Sequence, residues 1–389
     1  MNSTDKLFLL DAYALIYRSY YAFIKNPRIN SKGFNTSAIL GFVNTLEEVL
    51  KKENPTHIGV AFDPSGPTFR HEAYEQYKAQ REETPEAIRL SVPIIKDIIR
   101  AYRIPILEVS GYEADDVIGT LATEAGRQGI ITYMMTPDKD YGQLVSDNVF
   151  MYRPKHSGGF EVMGIEEIKN KFNIRSTEQV IDMLGLMGDS SDNIPGCPGV
   201  GEKTAQKLVA EFGSIENLLA HTDQLKGALK TKVEANREMI TFSKFLATIK
   251  VDVPIKLDMT TLVREEPDEE KLRKIFEELE FRTLIDRVLK KSGAPLSSSS
   301  NSVSPDLYAG TLFARPVDSP TPENNGPVQG DLFANFADNG TGNAENSNLT
   351  HLEMLDVDYQ LIDTEEKRSE IIQKLLTTEI LSIDTETTG

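Results

Sequence analysis

The sequence has almost no cysteine: among 389 residues, only Cys197. No intramolecular disulfide can form, and a reducing compartment is the natural setting. The five histidines are scattered singly, which speaks against a structural zinc cage. No Ser–His or Cys–His arrangement is visible, so a covalent intermediate has no support. No apolar run is long enough to span a membrane. Met1–Asp5 is polar, and the apolar run after it is too short for the core of a signal peptide. These absences lead to an expectation of a cytoplasmic protein without a membrane partner. Basic charge is also short, with 42 Lys and Arg against 60 Asp and Glu and a formal net charge of −18. That total speaks against nucleic acid, but Lys291–Gly389 alone carries 16 acidic residues against 5 basic ones. The deficit lies mostly in the tail, so local basic patches matter more than the total.

What the sequence does have is carboxylates at the ends of expected strands. Lys6–Leu10 is a short apolar run ending in Asp11; His57–Phe62 ends in Asp63; Ile130–Met135 is followed by Asp138 and Asp140. Short apolar runs alternating with helical patterns predict an α/β fold with a parallel sheet. In such sheets a ligand site lies beyond the carboxyl ends of the strands. Gly111–Asp116, read GYEADD, adds Glu113, Asp115 and Asp116 where a helix should begin. One or two acids there are ordinary helix caps, but capping does not explain the acids at the strand ends. So many carboxylates in one crevice repel each other unless cations neutralise them. Oxygen ligands without His or Cys suit Mg²⁺ or Mn²⁺.

Three further stretches bear on the same crevice. The helix expected after Asp11 carries Arg18, about two turns on, placed to point back over the acids or to pair with a surface carboxylate. Asp63–Glu86 interleaves Arg70, His71, Tyr74, Tyr77, Lys78 and Arg81. It reads either as a solvated helix or as a mobile arch whose cations clamp phosphate and whose tyrosines stack on an unpaired base. Gly185–Thr204 places Asp189 and Asp192 about one helical turn apart. It then runs through a tight turn, Pro195–Gly201, into an amphipathic helix opening with Glu202, Lys203 and Thr204. Free N–H groups at such a turn face an anion. The spacing is not that of a Walker loop; it fits a helix–hairpin–helix grip on DNA backbone, without sequence preference. Cys197 is expected as a buried residue of this turn. Arg153–Gly159 predicts a basic loop or hairpin and Ile165–Phe172 a helix. Ala210–Lys290 reads as helical, extending the backbone-binding face through Lys226, Lys230, Lys232 and Arg237.

Taken together, these motifs (FDPSGPTFRHEAYEQYK, GYEADD, TPDKD and GDSSDNIPGCPGVGEKTA) closely resemble the 5′ nuclease domains of bacterial DNA polymerases I, within the flap endonuclease family. The resemblance covers roughly Met1–Lys290. It implies a PIN-like core with a helical arch in 1–172 and an α-helical helix–hairpin–helix DNA-binding subdomain in 173–290. It implies a 5′–3′ exonuclease and flap endonuclease acting on DNA flaps, nicks and overhangs with two divalent metals, as a monomer serving primer removal and repair near the nucleoid. By motif, Asp11, Asp63, Glu113, Asp115 and the adjoining Asp116 resemble one metal-ligand group. Asp138, Asp140, Asp189 and Asp192 resemble the second. Arg18, Arg70 and Lys78 resemble the residues that engage the scissile phosphate, and Tyr77 an arch aromatic that stacks. Gly199, Val200, Gly201, Lys203 and Thr204 fall in the backbone-gripping turn, which in many members also holds K⁺. Two alternatives are a PIN-type ribonuclease, which would lack that turn, and a non-catalytic DNA-binding module, which would lack some of the acids.

The tail is different in kind. Residues 291–350 read as a disordered linker, within which Leu312-Phe313-Ala314 and Leu332-Phe333-Ala334 repeat. Gln329, Asp331, Leu332 and Phe333 resemble a motif by which replication proteins bind the sliding clamp; docking back on the nuclease core is the alternative. From 351 to 389 order is expected to return, and Asp384-Thr385-Glu386 resembles the opening of a 3′–5′ exonuclease domain. The sequence thus reads as a fragment of a longer protein.

Overall fold

A computed structural model of the chain describes residues 5–155 and 158–289. The clamp-like residues Gln329, Asp331, Leu332 and Phe333, and the expected linker and C-terminal domain, lie outside the described residues. The order is β1 (Lys6–Asp11), α1 (Ala12–Ala22), α2 (Ser37–Lys52), β2 (His57–Ala61), α3 (Phe69–Ala73), α4 (Glu86–Ala101), β3 (Ile106–Leu107), α5 (Ala114–Arg127) and β4 (Ile131–Met135). There follow β5 (Val149–Pro154), β6 (Phe160–Met163), α6 (Ile165–Phe172), α7 (Gln179–Met187), α8 (Glu202–Phe212), α9 (Ile215–Ala220), α10 (Gly227–Ala235), α11 (Arg237–Ala247) and α12 (Glu269–Glu278).

The six strands form one sheet in the order β3-β2-β1-β4-β5-β6. All neighbours run parallel except β5 and β6. β1 is apolar on both faces because both are covered: Leu7 and Leu9 face one core, Phe8 and Leu10 the other, and all four are fully buried. This is the near-continuous apolar run that a doubly covered parallel strand requires. The chain winds from β1 to β2 and β3 on one side and then crosses to β4 and β5 on the other. The switch point lies between β1 and β4, where open α/β sheets bind ligands.

α5 covers one face, and the core beneath it runs on without a break into α7, α8, α10 and α11. The helical segment is therefore fused to the sheet layer. α1, α2 and α4 cover the other face. α12 packs there too, through the fully buried Leu272 and Phe276. This corrects the expectation that all of Ala210–Lys290 extends one binding face: the last stretch crosses to the opposite side of the sheet. Among the described residues no helix is long and apolar enough to cross a membrane.

Candidate nuclease centre

The carboxylates meet at the carboxyl edge of the sheet. Asp11 ends β1 and caps α1, accepting from the N–H of Ala14 at 3.1 Å. Its other oxygen accepts from the hydroxyls of Thr136 and Tyr141, each at 3.2 Å. Asp63, just past β2, accepts from the N–H of Ala114 at 2.7 Å and so ties that strand to the start of α5. Asp115 lies in the first turn of α5. Asp138 and Asp140 follow β4, Asp138 accepting from the N–H of Asp140 at 3.0 Å.

The electrostatics of these acids are uniform. Burial, reinforced by Asp63, pushes Asp11 up to about 7. Burial also raises Asp63, Asp115 and Asp140, with Asp116 adding to the rise at Asp115 and Asp138 to that at Asp140. The crevice presses its own acids toward protonation, because burial and mutual repulsion outweigh the cations nearby.

Asp189 and Asp192 reach the crevice from a loop. α7 ends at Met187, which corrects the expectation of a shared helical face. A turn closed by paired backbone bonds between Asp189 and Ile194 carries them instead, at 2.9 and 2.8 Å. Two glycines pin that turn. A Cβ on Gly188 would sit 2.4 Å from the Ile194 carbonyl oxygen, and one on Gly196 would sit 2.4 Å from the Gly188 nitrogen. Both also have positive φ, so only glycine fits. Here the charges are compensated. Lys139 Nζ lies 2.8 Å from Asp189. Asp192 meets Arg81, the Tyr77 hydroxyl at 3.0 Å and Lys78 Nζ at 3.7 Å. Burial opposes ionisation of Asp192, but Lys78 and Arg81 outweigh it and hold its carboxyl down at about 2.

The segment expected as a helical arch is one short helix, α3, followed by turns that fold down onto this loop. The Lys78 N–H donates to the Asp192 carbonyl at 3.0 Å, with Lys78 at φ 57°. Gln80 and Arg81 donate to the carbonyls of Ser190 and Ser191. Lys78 Nζ also sits 2.7 Å from Glu113. Burial opposes ionisation of Glu113, but Lys78 and Arg70 overcome it and hold this carboxyl below its ordinary range.

Several expectations need correction. Asp116 is fully buried and accepts four bonds: both terminal nitrogens of Arg70 at 2.8 Å, the Glu113 N–H at 3.1 Å and the Lys250 N–H at 2.8 Å. Neither oxygen keeps a lone pair for a metal; this carboxylate orients α5. Arg70, 1 % exposed, also donates to Glu113 and to the carbonyls of Leu246 and Thr248. All five of its N–H donors are spent, so it braces α3, α5 and α11 and does not clamp phosphate. Tyr77 is buried, its one hydroxyl proton lying between carboxylate oxygens of Glu113 at 2.9 Å and Asp192 at 3.0 Å, and offers no ring face for stacking. Arg18 donates to the Lys155 carbonyl at 3.0 Å, beside the β5–β6 hairpin. In the turn expected to grip backbone, Val200 is buried among the helical core, as is Cys197. Gly199, Gly201 and Lys203 are exposed, Thr204 is half-buried, and Lys232 Nζ closes on Gly199. Sequence reasoning missed Lys139 and Tyr141, although both adjoin Asp140, and placed Arg81 in the arch without a partner.

Among the described residues, no three His, Cys, Asp or Glu side chains converge on one point as a metal cage. The donor set still fits a hard divalent cation. It consists of carboxylate oxygens under mutual repulsion, and Asp140 Oδ1 is buried without any hydrogen-bond partner, an arrangement costly unless a cation completes it.

Comparison with known proteins agrees with this architecture. Residues 6–173 match the 5′–3′ exonuclease N-terminal resolvase-like domain, and residues 175–270 match the 5′–3′ exonuclease C-terminal SAM fold. The Aquifex aeolicus 5′–3′ exonuclease is 37 % identical over 284 residues, which cover 73 % of this chain and 95 % of that protein. The chain belongs to the 5′–3′ exonuclease family. It is accordingly a nuclease, a hydrolase of nucleic-acid phosphodiesters. DNA polymerase I of Bacillus caldotenax is 41 % identical over 286 residues, covering 73 % of this chain and 32 % of the polymerase. The chain spans about a third of the length of the curated polymerases it matches. A bacteriophage T5 flap endonuclease, in a complex with DNA and metal ions, shares the fold with a TM-score of 0.54 at 20 % identity, covering 71 % of this chain and 99 % of that one.

Proposed function

We propose that this nuclease cuts DNA at 5′ flaps, nicks and overhangs, depends on divalent ions, and serves primer removal and repair as part of a DNA polymerase I. The observation that carries the reading is the crevice at the β1–β4 switch point. There Asp11, Asp63, Asp115 and Asp140 are pressed toward protonation while Lys78 and Arg81 stand against Asp192. The first four, with Glu113, Asp138, Asp189 and Asp192, would hold Mg²⁺ or Mn²⁺; Asp116 would not. A bound divalent ion supplies Lewis-acid activation of the phosphodiester and of water. The chain's own residues supply the rest. Lys78 and Arg81 meet the phosphoryl oxygens and stabilise the charge that builds there. Arg70 and Asp116 hold Glu113 and Asp115 in place. The exposed turn at Gly199–Lys203 grips duplex backbone at a distance from the cut, which supports recognition of structure over sequence. The T5 complex with DNA and metal ions is in keeping with this reading.

The test is incubation with end-labelled 5′-flap DNA in Mg²⁺, in Mn²⁺ and in EDTA. Short 5′-phosphorylated products in either metal, absent in EDTA, are expected. Metal-independent cutting, or cutting from the 3′ end, would overturn the proposal.

A further inference from the structure

The aromatic residue expected to stack on an unpaired base, Tyr77, is buried. An exposed aromatic side chain, Phe245, lies elsewhere. At the root of the arch segment, Phe69 meets Tyr112 at 5.9 Å and Phe245 at 6.0 Å between ring centroids. Phe245 stacks on Phe242 at 6.1 Å with the rings 19° from parallel, and Phe242 meets Tyr74 at 5.6 Å. Five rings thus join α3 and its flank, the loop before α5, and α11. The ladder is open to solvent: Phe245 is 42 % exposed, and Met239, on the same helix, 41 %. Large apolar side chains grouped at the surface mark a contact site.

Two features say what covers this surface. Lys250 Nζ lies 5.2 Å from the Phe69 centroid, so the ladder carries a cation at its edge. The Arg70 guanidinium lies 4.6 Å from the same ring while bonding Glu113 and Asp116. The ladder is therefore continuous with the carboxylate crevice through a single residue. Aromatic faces beside cations suit single-stranded nucleic acid, because each base offers a π-face and each linkage a phosphate.

We propose that Phe245, with Phe242 and Phe69 behind it, is a stacking platform for an unpaired base of the DNA strand that enters the crevice. The proposal rests on the reading of the substrate as DNA bearing a single-stranded 5′ arm. Phe245 would take the base on its exposed face, and Lys250 would meet the neighbouring phosphate. The platform sets where the single strand leaves the duplex relative to the acids, and so which linkage is presented to them.

The experiment uses the whole chain in EDTA, so that binding is read without cleavage. Flap DNA and fully paired DNA of equal length are compared by fluorescence anisotropy, with 2-aminopurine placed base by base along the arm. In the wild type, one arm position is expected to show quenched fluorescence. Phe245→Ala should restore that fluorescence and weaken flap binding about tenfold, since a base–aromatic stack contributes on this scale. Affinity for paired DNA should stay unchanged. Phe245→Trp should keep the wild-type behaviour, while Phe245→Leu, which keeps apolar area without a π-face, should behave as the alanine variant. Phe245 is surface-exposed, so these variants should fold; equal melting temperatures check it. Equal flap binding by all variants overturns the platform and leaves the patch to a protein contact. Equal loss on flap and paired DNA also overturns it. A wild type that fails to bind flap DNA at all removes the substrate reading itself, a result distinct from either.

Discussion

Asp11 and Asp192 are the same residue type in the same crevice, yet one is pushed up to about 7 and the other held at about 2. The difference is in what each is given. Asp11 stands at a strand end among neutral donors, the Ala14 N–H and the hydroxyls of Thr136 and Tyr141, with Asp63 nearby. Asp192 stands on a loop that the arch segment clasps, with Lys78 and Arg81 against it. The sheet-borne side of the site holds acids that burial and mutual repulsion press toward protonation, the side proposed to take a cation from outside. The loop-borne side brings cations of its own, Lys78 and Arg81, the two side chains proposed to meet the phosphate.

The comparison breaks most sharply at the uncompensated side. Asp115→Ala should lower cleavage in Mg²⁺ by about a thousandfold or more, while DNA binding stays near wild type or tightens as negative charge leaves the crevice. Cleavage rates and anisotropy on the same flap DNA check this together; cleavage near wild type would remove Asp115 from the site. One residue along, Asp116→Ala should act by a different route. It leaves the buried Arg70 without its bidentate partner, and a broken buried pair costs about 3–5 kcal/mol. The expected reading is a large drop in the urea midpoint, with activity lost through instability. Equal stability of the two variants would mean that Asp116 is not the brace described here.

These two neighbours also show how far the sequence could be read. The acids, the parallel sheet and the turn before α8 were legible because strand period, strand-end position and glycine placement are local properties. The division of labour inside GYEADD was not legible. It depends on Arg70 and the Lys250 N–H arriving from distant segments to occupy Asp116, and on the Leu246 and Thr248 carbonyls holding Arg70 there. Tyr77, expected to stack on a base, was misread for the same reason. It sits in a polar, turn-rich stretch that reads as surface, and tertiary packing buries it. Conversely, nothing in the local sequence marks the side of α11 that carries Phe242 and Phe245 as open.

A pH series sharpens the contrast with an effect of intermediate size. Asp11 has an ordinary value of 3.8 and a folded value of about 7. Between those limits the folded chain binds more protons than the unfolded one, so stability falls as pH rises through that window. Asp63, Asp115 and Asp140 shift in the same direction. Asp192, held down at about 2, contributes stability that is present above 3.8 and lost as pH falls toward 2. In EDTA, urea unfolding should show stability rising from pH 2 to about 4 and then declining toward 7. Mg²⁺ or Mn²⁺ at pH 7 should reverse the decline, because binding to the folded form alone stabilises it. Asp11→Asn should flatten the limb between 4 and 7 and leave the acid limb intact. A stability rising steadily from 4 to 7 in EDTA would contradict the assignment.

The smallest expected effect lies outside the crevice and tests what the rest of the chain contributes. Lys203 is exposed in the first turn of α8, beside the exposed Gly199 and Gly201, with Lys232 closing on the same turn. A turn of this kind contacts phosphate through backbone N–H groups and point charges, which carry no sequence information. Lys203→Glu should therefore weaken binding by about tenfold, by the same factor on unrelated duplex sequences. It should also flatten the dependence of log affinity on log salt by about one unit, as expected for one lost phosphate contact. The rate of cleavage at saturating DNA should not change, since the residue lies away from the acids, whereas the concentration needed for half-maximal rate should rise. That split separates Lys203 from Lys78, whose replacement should reduce the saturated rate because Lys78 touches Glu113 directly. If Lys203→Glu lowered the saturated rate as well, the helical segment would be acting on the chemistry through the continuous core beneath α5, and gripping and cutting would not be separable functions of this fold.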